Sequence, residues 1–252
     1  MKRQPAAGVP SPCIDVCRID PATGWCAGCR RSPGTAAMKT LDFWFDPISP
    51  YAYLAFEQLP QALEGCSYVV HYRPVLFAGL LGHWGQKGPA EIEPKRIWTF
   101  RQIAWHAHRL GIPITAPAQH PFNPLPLLRL ALAGAAHGGL PNRRVVELLM
   151  RHVWRGDGAD AADPARLQAL HAAVAPLRDP GSAEVKAELR THTEAAVERG
   201  IFGVPTIEAD GRLFWGLDAL PMLRALLQGD PWFDGPAWDA AAAARPGVRR
   251  SG

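Results

Sequence analysis

The sequence has no long uncharged hydrophobic run, and no hydrophobic stretch lies near its start. Nowhere in its 252 residues do about 18 apolar residues follow one another, which argues against a membrane span. Residues 1–5 lead into Gly, Pro and Ser rather than into the apolar segment of a secretory signal. We therefore expect a cytoplasmic protein without a membrane partner.

The body of the chain also lacks an excess of positive charge, although the net charge is +4. Residues 1–37 carry five Lys or Arg against two Asp, and the segment from Arg245 adds three Arg. Residues 38–244 have 19 basic and 21 acidic residues. Because a nucleic-acid binder carries its positive charge on the folded face, we do not expect DNA or RNA as the main ligand.

Cysteine is scarce beyond the first 29 residues, where Cys66 stands alone. In a reducing compartment, clustered thiols are more typical of metal ligands than of disulfides. Four thiolates in a short segment suit zinc or an iron–sulfur centre. The alternatives are a reduced extension without metal, or a start codon misplaced ahead of Met38. The four candidate ligands are Cys13, Cys17, Cys26 and Cys29.

Composition and periodicity divide the chain into three parts. Residues 1–37 form a Cys-rich extension and linker, and residues 236–252 are predicted to be a flexible tail because they are rich in Ala, Arg and Gly with little amphipathicity. In residues 38–235 a strand, a helix and a strand precede a helical insertion at about 80–195, and a hairpin and a helix follow. This order predicts an α/β domain with a small mixed sheet.

Ser49 marks the first candidate site, at the junction of the first strand and helix. Ser49-Pro50 is a helix-start signature, since the serine can cap free N–H groups and the proline needs no donor. A helix N-terminus stabilises an anion, including a thiolate. The alternative is that Ser49 is only a cap.

Two further segments are candidate sites. Pro205 lies at a strand entry, where a cis bond would turn the Val204 N–H and C=O outward to pair with an extended ligand; an ordinary trans proline is the alternative. Asp218 precedes the last helix and is expected to cap it. The same end could bind a carboxylate while Asp218 pairs with an ammonium group.

These segments together resemble a known family. Residues 38–235 are similar to 2-hydroxychromene-2-carboxylate isomerases and kappa-class glutathione transferases. The resemblance implies a thioredoxin-like fold with an inserted helical domain, as in DsbA-type proteins. Residues 11–14 and 26–29 resemble a small bacterial four-cysteine domain of unknown function. The segments that carry the main resemblance are Phe43–Leu54, Gly200–Thr206 and Phe214–Asp218.

The resemblance implies a role for each matching residue. Ser49 corresponds to the serine that hydrogen-bonds the glutathione sulfur, and Val204, beside Pro205, to the residue that pairs with the cysteinyl backbone. Leu217 and Asp218 correspond to positions that hold the γ-glutamyl end. The last pair, Gln86 and Lys87, falls where the family has Asn-Lys or a similar pair contacting glutathione, and Gln in place of Asn is a departure.

A dithiol is missing from the junction at Ser49. Disulfide exchange needs Cys-x-x-Cys there, whereas the sequence has Ser49-Pro50-Tyr51-Ala52. The reactive thiol must therefore come from the ligand. The resemblance implies a homodimeric, glutathione-dependent isomerase acting on a small aromatic or unsaturated electrophile. The alternatives are a kappa-like glutathione transferase and a non-catalytic glutathione or peptide binder.

The tryptophans of the helical segment are expected to lie mostly in the core. One or two of them could line an aromatic substrate pocket. Histidine gives no metal motif, because no His-Glu-x-x-His pattern occurs. The tryptophans concerned are Trp84, Trp98, Trp105 and Trp154.

Overall fold

A four-stranded mixed sheet organises the part of the chain that the structure, a computed structural model, describes, namely residues 38–243. Its strands lie in the order β2–β1–β3–β4, with β2 parallel to β1 and the other neighbours antiparallel. The predicted α/β fold is confirmed. The strands are β1 (Lys39–Phe45), β2 (Tyr68–Pro74), β3 (Thr206–Ala209) and β4 (Arg212–Trp215).

Nine α-helices lie within the described residues. Six of them, α2 to α7, come between β2 and β3 in the sequence. No helix within residues 38–243 combines the length and the apolar character needed to cross a bilayer. The helices are α1 (Pro50–Ala62), α2 (Phe77–His83), α3 (Glu93–Leu110), α4 (Leu125–Ala133), α5 (Arg143–Trp154), α6 (Pro164–Val174), α7 (Ala183–Glu198), α8 (Leu220–Leu227) and α9 (Pro236–Ala242).

Helices cover both faces of the sheet, so the central strand β1 is buried on both sides. Phe43 and Phe45 belong to the main core, which includes residues of α1, α5 and α8. Trp44 points to the opposite face, as alternate strand residues do, and packs in a second cluster that includes Leu80 of α2 and Ala196 of α7. This arrangement explains why Phe43, Trp44 and Phe45 are all apolar, without a polar residue between them.

Local signals set the main element boundaries. Asp210 and Gly211 both have positive φ and connect β3 to β4 in a two-residue turn, which confirms the predicted hairpin. Ser49 is the N-cap of α1 and accepts the Ala52 N–H at 3.2 Å. Pro60 lies inside α1, and the helix ends two residues later at Ala62.

Residues 236–242, the first part of the predicted flexible tail, form α9. Trp238 packs against Phe214 and Phe233, with ring centroids 6.3 and 5.4 Å apart. This aromatic contact gives the segment an apolar anchor that its Ala-rich composition does not reveal.

The expectation that the four tryptophans lie mostly in the core is wrong for three of them. Trp154 is fully buried, whereas Trp84, Trp98 and Trp105 are 42%, 62% and 55% exposed. Two of them, Trp98 and Trp105, belong to α3, so this helix leaves apolar side chains exposed rather than buried in the core.

Candidate active site

One cavity of about 840 Å³ collects the predicted glutathione-site residues. It lies where the amino end of α1 meets the segment before β3, the segment after β4, and one side of α3. All seven predicted residues line it: Ser49, Gln86, Lys87, Val204, Pro205, Leu217 and Asp218. The four predicted metal ligands, Cys13, Cys17, Cys26 and Cys29, lie outside the described residues.

The Ser49 side chain is buried and makes two hydrogen bonds. Its Oγ accepts the Ala52 N–H and donates to the Val204 carbonyl oxygen at 3.2 Å. The Val204–Pro205 peptide is cis. Because a serine hydroxyl has a single proton, Ser49 can donate to a ligand only by leaving Val204, while it keeps its bond from Ala52.

The first turn of α1 keeps one donor for a ligand. Pro50 has no N–H, and the N–H groups of Ala52 and Tyr53 are bound by the Ser49 side chain and carbonyl. Within residues 38–243, the Tyr51 N–H has no hydrogen-bond partner. This donor and the positive end of the helix dipole favour an anion beside Ser49.

Long-range donors hold the carbonyl groups of the loop that precedes Ser49. Trp154 Nε1 donates to the Pro47 oxygen at 2.9 Å. His120 Nε2 lies 2.8 Å from the Ile48 oxygen, and because a carbonyl only accepts, this nitrogen carries the proton. The helical segment therefore fixes the loop from which α1 begins.

The α3 side of the cavity adds aromatic and titratable groups that sequence reasoning missed. Tyr51 donates to Gln102 Oε1 at 2.7 Å. Burial raises the pKa of Tyr51 and the negative charge of the nearby Asp218 raises it further, so the phenol stays protonated. Burial also lowers the pKa of His106 and of His120, which favours the neutral imidazoles. Cavity-lining side chains recur every three or four residues along α3, and this spacing could have indicated that one face of the helix forms a wall.

Asp218 lines the cavity but does not cap the helix that follows it, α8, as predicted. A 3₁₀ turn, Leu217–Ala219, precedes α8, and Ala219 takes the N-cap position without a side-chain bond. The exposed Asp218 carboxylate is therefore available to a ligand. The prediction failed because a short turn separates Asp218 from the helix it was expected to start.

Asp46 is a fully buried carboxyl in the cavity wall. Its Oδ1 accepts the Ile48 N–H at 3.0 Å and its Oδ2 accepts the Phe77 N–H at 2.9 Å. Burial raises the pKa of Asp46 from 3.8 to about 7, although both hydrogen bonds act to lower it. The cost of desolvation thus exceeds the gain from the two donors.

Asp46→Asn is expected to flatten the pH dependence of stability between pH 3.8 and about 7. In this range the folded state keeps a proton that the unfolded state has lost, so this group makes the free energy of unfolding fall as pH rises. The total change is at most about 4 kcal/mol. Denaturant unfolding at several pH values, compared between wild type and variant, checks it; two parallel curves would contradict it.

Within residues 38–243 the geometry defines a thioredoxin-type site whose first helix begins at Ser49-Pro50 rather than at a Cys-x-x-Cys dithiol. Residues 40–228 match the family described as the DSBA-like thioredoxin domain. The chain belongs to this family. Residues 11–34 match a second family, described as a protein of unknown function (DUF1289).

Relatives with two different names match most of the chain. The 2-hydroxychromene-2-carboxylate isomerase of Sphingobium xenophagum is 29% identical over 196 residues, covering 75% of this chain and 98% of the relative. Glutathione S-transferase kappa 1 of Rattus norvegicus is 27% identical over 216 residues, covering 78% and 93%. The two identities, 29% and 27%, favour neither name over the other.

Solved structures agree on the fold. A 2-hydroxychromene-2-carboxylate isomerase superposes with a TM-score of 0.65 at 22% identity, covering 81% of this chain and all of that one. A probable DsbA oxidoreductase from Streptomyces coelicolor gives 0.53 at 17% identity, covering 76% of this chain and 91% of that one.

Proposed function

We propose that this protein is a glutathione-dependent isomerase of the 2-hydroxychromene-2-carboxylate type. The observation that carries the proposal is the junction at Ser49, where a hydroxyl and the Tyr51 N–H meet the positive end of α1 inside a large cavity. The similarity to enzymes of that name supports it. A cytoplasmic homodimer is part of the proposal.

The cavity residues fit an extended tripeptide. Lys87 pairs with one carboxylate, and the backbone beside the cis proline, at Val204, pairs with the cysteinyl residue. Leu217 and Asp218 hold the γ-glutamyl end, where the Asp218 carboxylate receives the ammonium group. Gln86 lies next to Lys87 on the same wall and extends this contact.

The chemistry that glutathione supplies is a sulfur nucleophile for reversible addition to an unsaturated carbon, with elimination after bond rotation or ring opening. Ser49 and the Tyr51 N–H stabilise the thiolate, because only this form is strongly nucleophilic. The neutral His106 and His120, with Phe100 and Phe122, line the space left for a small aromatic substrate. Their rings exclude water from the reacting atoms.

The deciding experiment follows the isomerisation of 2-hydroxychromene-2-carboxylate with and without glutathione, while free thiol is measured. We expect turnover that requires glutathione and does not consume it. Consumption of the thiol would instead assign a kappa-like transferase, which the similarity to transferases of that class supports as the second candidate. Glutathione affinity in calorimetry without turnover of any electrophile would assign a non-catalytic binder.

Lys87→Ala is expected to raise the KM for glutathione by about two- to fivefold and to leave kcat nearly unchanged. Lys87 is exposed at the cavity wall, and an exposed ion pair contributes up to about 1 kcal/mol. The effect should shrink as salt is added. Lys186→Ala, on the exposed side of α7 and outside the cavity, is the matched control. Equal KM values for the two variants would contradict the role of Lys87.

We propose that the four N-terminal cysteines bind zinc or an iron–sulfur centre. Metal analysis of the purified full chain, beside a chain that begins at Met38, checks this. We expect zinc or iron with the full chain and none with the shorter one. A full chain without bound metal, purified under reducing conditions, would show that the extension does not need one. The four ligands are Cys13, Cys17, Cys26 and Cys29.

A further inference from the structure

Asp46 joins two walls of the cavity that are distant in the sequence. One of its oxygens binds the N–H of Ile48, the residue before the N-cap of α1. The other binds the N–H of Phe77, the first residue of α2. The chain continues along the cavity from α2 to Lys87. A single carboxyl therefore connects the wall that carries Ser49 with the wall that carries Lys87.

A buried carboxylate is a costly way to make these two bonds. Within residues 38–243 no cationic side chain forms an ion pair with Asp46, and burial alone is what raises its pKa. An unpaired charge away from water is destabilising. An asparagine would avoid the charge, but it has one acceptor oxygen, and its amide nitrogen cannot accept from an N–H. Of the two side chains, only the carboxylate offers two strong acceptor oxygens at one point, one for each wall.

We propose that Asp46 is a positioning residue for the sulfur site, holding the Ser49 end of α1 against the start of α2. This clamp, the two hydrogen bonds that Asp46 accepts from Ile48 and Phe77, keeps the Tyr51 N–H and the Ser49 hydroxyl at one end of α1, so that both can reach a bound sulfur once the hydroxyl turns from Val204. Asp46 itself contacts neither substrate nor thiol. This inference rests on the proposed function, because it assigns a support to the group that activates the sulfur.

Asp46→Asn is expected to raise the thiol pKa of bound glutathione and to lower kcat about tenfold, the effect of one lost charge-assisted bond. The dissociation constant for glutathione should change less than about fivefold, the most that the loss of Lys87 is expected to cause, because Val204, Leu217 and Asp218 lie on segments that Asp46 does not bind. Thiolate absorbance in the binary complex gives the pKa, and calorimetry gives the affinity. A carboxyl that only stabilised the fold would lower the melting temperature and leave the thiol pKa unchanged.

Asp42→Asn is the matched control on the same strand. The Asp42 carboxylate accepts from Arg73 Nε and does not line the cavity. We expect the thiol pKa and kcat of this variant to equal those of wild type.

The hydrogen bond from the Phe77 N–H to Asp46 can be removed without mutating Asp46. Phe77 is the first residue of α2, and Leu76 before it is extended, with φ −82° and ψ 105°. A proline fits both conditions, so Phe77→Pro removes the N–H that Asp46 binds. Phe77→Ala removes the same ring but keeps the N–H. We expect Phe77→Pro to have the higher thiol pKa and the lower kcat of the two.

The outcomes separate the clamp from the proposed function. A wild type that does not bind glutathione overturns the proposed function. A different result overturns the clamp alone. In that case the wild type binds glutathione with a lowered thiol pKa, Asp46→Asn has the same thiol pKa, and the two Phe77 variants have equal thiol pKa and kcat. If Asp46→Asn does not fold, the two Phe77 variants decide.

Discussion

Replacing Ser49 with alanine is expected to lower kcat/KM by about ten- to a hundredfold. The variant loses the hydroxyl that can turn from the Val204 carbonyl to a bound sulfur, and losing one donor to a reacting anion costs about this much or more. The Tyr51 N–H and the helix dipole remain, so activity falls without vanishing. Steady-state kinetics with the isomerisation substrate and the thiol pKa of bound glutathione check this result.

A second N-cap serine separates catalysis from stability. Ser182 caps α7, where its Oγ accepts the Val185 N–H at 3.2 Å, and it does not line the cavity. Ser182→Ala and Ser49→Ala should each lower the free energy of unfolding by about 1 kcal/mol. Only Ser49→Ala should lose activity. Equal activity of the two variants would reduce Ser49 to a cap.

Replacing Trp154 with alanine is expected to lower the free energy of unfolding by about 3–5 kcal/mol. The indole is fully buried, stacks on Tyr53 with ring centroids 6.5 Å apart, and packs against His120 at 5.7 Å. Its removal also leaves the Pro47 carbonyl without its donor. Denaturant unfolding measures the loss.

Trp98→Ala is the control for this prediction, because Trp98 also belongs to the helical segment but is 62% exposed. We expect a change within about 0.5 kcal/mol. Trp154→Phe should lie between the two, since it keeps an aromatic ring in the core but removes the donor to Pro47. A Trp154→Ala variant as stable as Trp98→Ala would contradict the packing described for α5.

Sequence patterns predicted those features that local chemistry decides. The Ser49-Pro50 start of α1 and the Asp210-Gly211 hairpin depend on residues that are neighbours in the chain. The place of Pro205 at a strand entry suggested a cis bond as one of two alternatives, and the structure has the cis form. These signals suffice to predict the order of strands and helices and the part of the cavity that lies between Ser49 and Pro205.

Features that depend on distant contacts could not be predicted in the same way. The bond from His120 to Ile48 joins residues that are 72 positions apart, and α9 forms where Trp238 meets Phe214. No local pattern reports such pairs. The prediction that Asp218 caps a helix was wrong for a local reason, because Asp218 lies in a single 3₁₀ turn ahead of α8.

The walls of the cavity come from separate stretches of chain, and this division has an evolutionary consequence. The residues proposed to grip the tripeptide come mainly from residues 203–218, whereas α3 and residues 120–122 face the space left for the second substrate. Exchanging α3 between homologues, with His120 kept to hold the Ile48 carbonyl, would therefore alter which electrophile is accepted and leave the proposed glutathione contacts in place. Such a division would let new substrate preferences arise while the proposed glutathione site is kept.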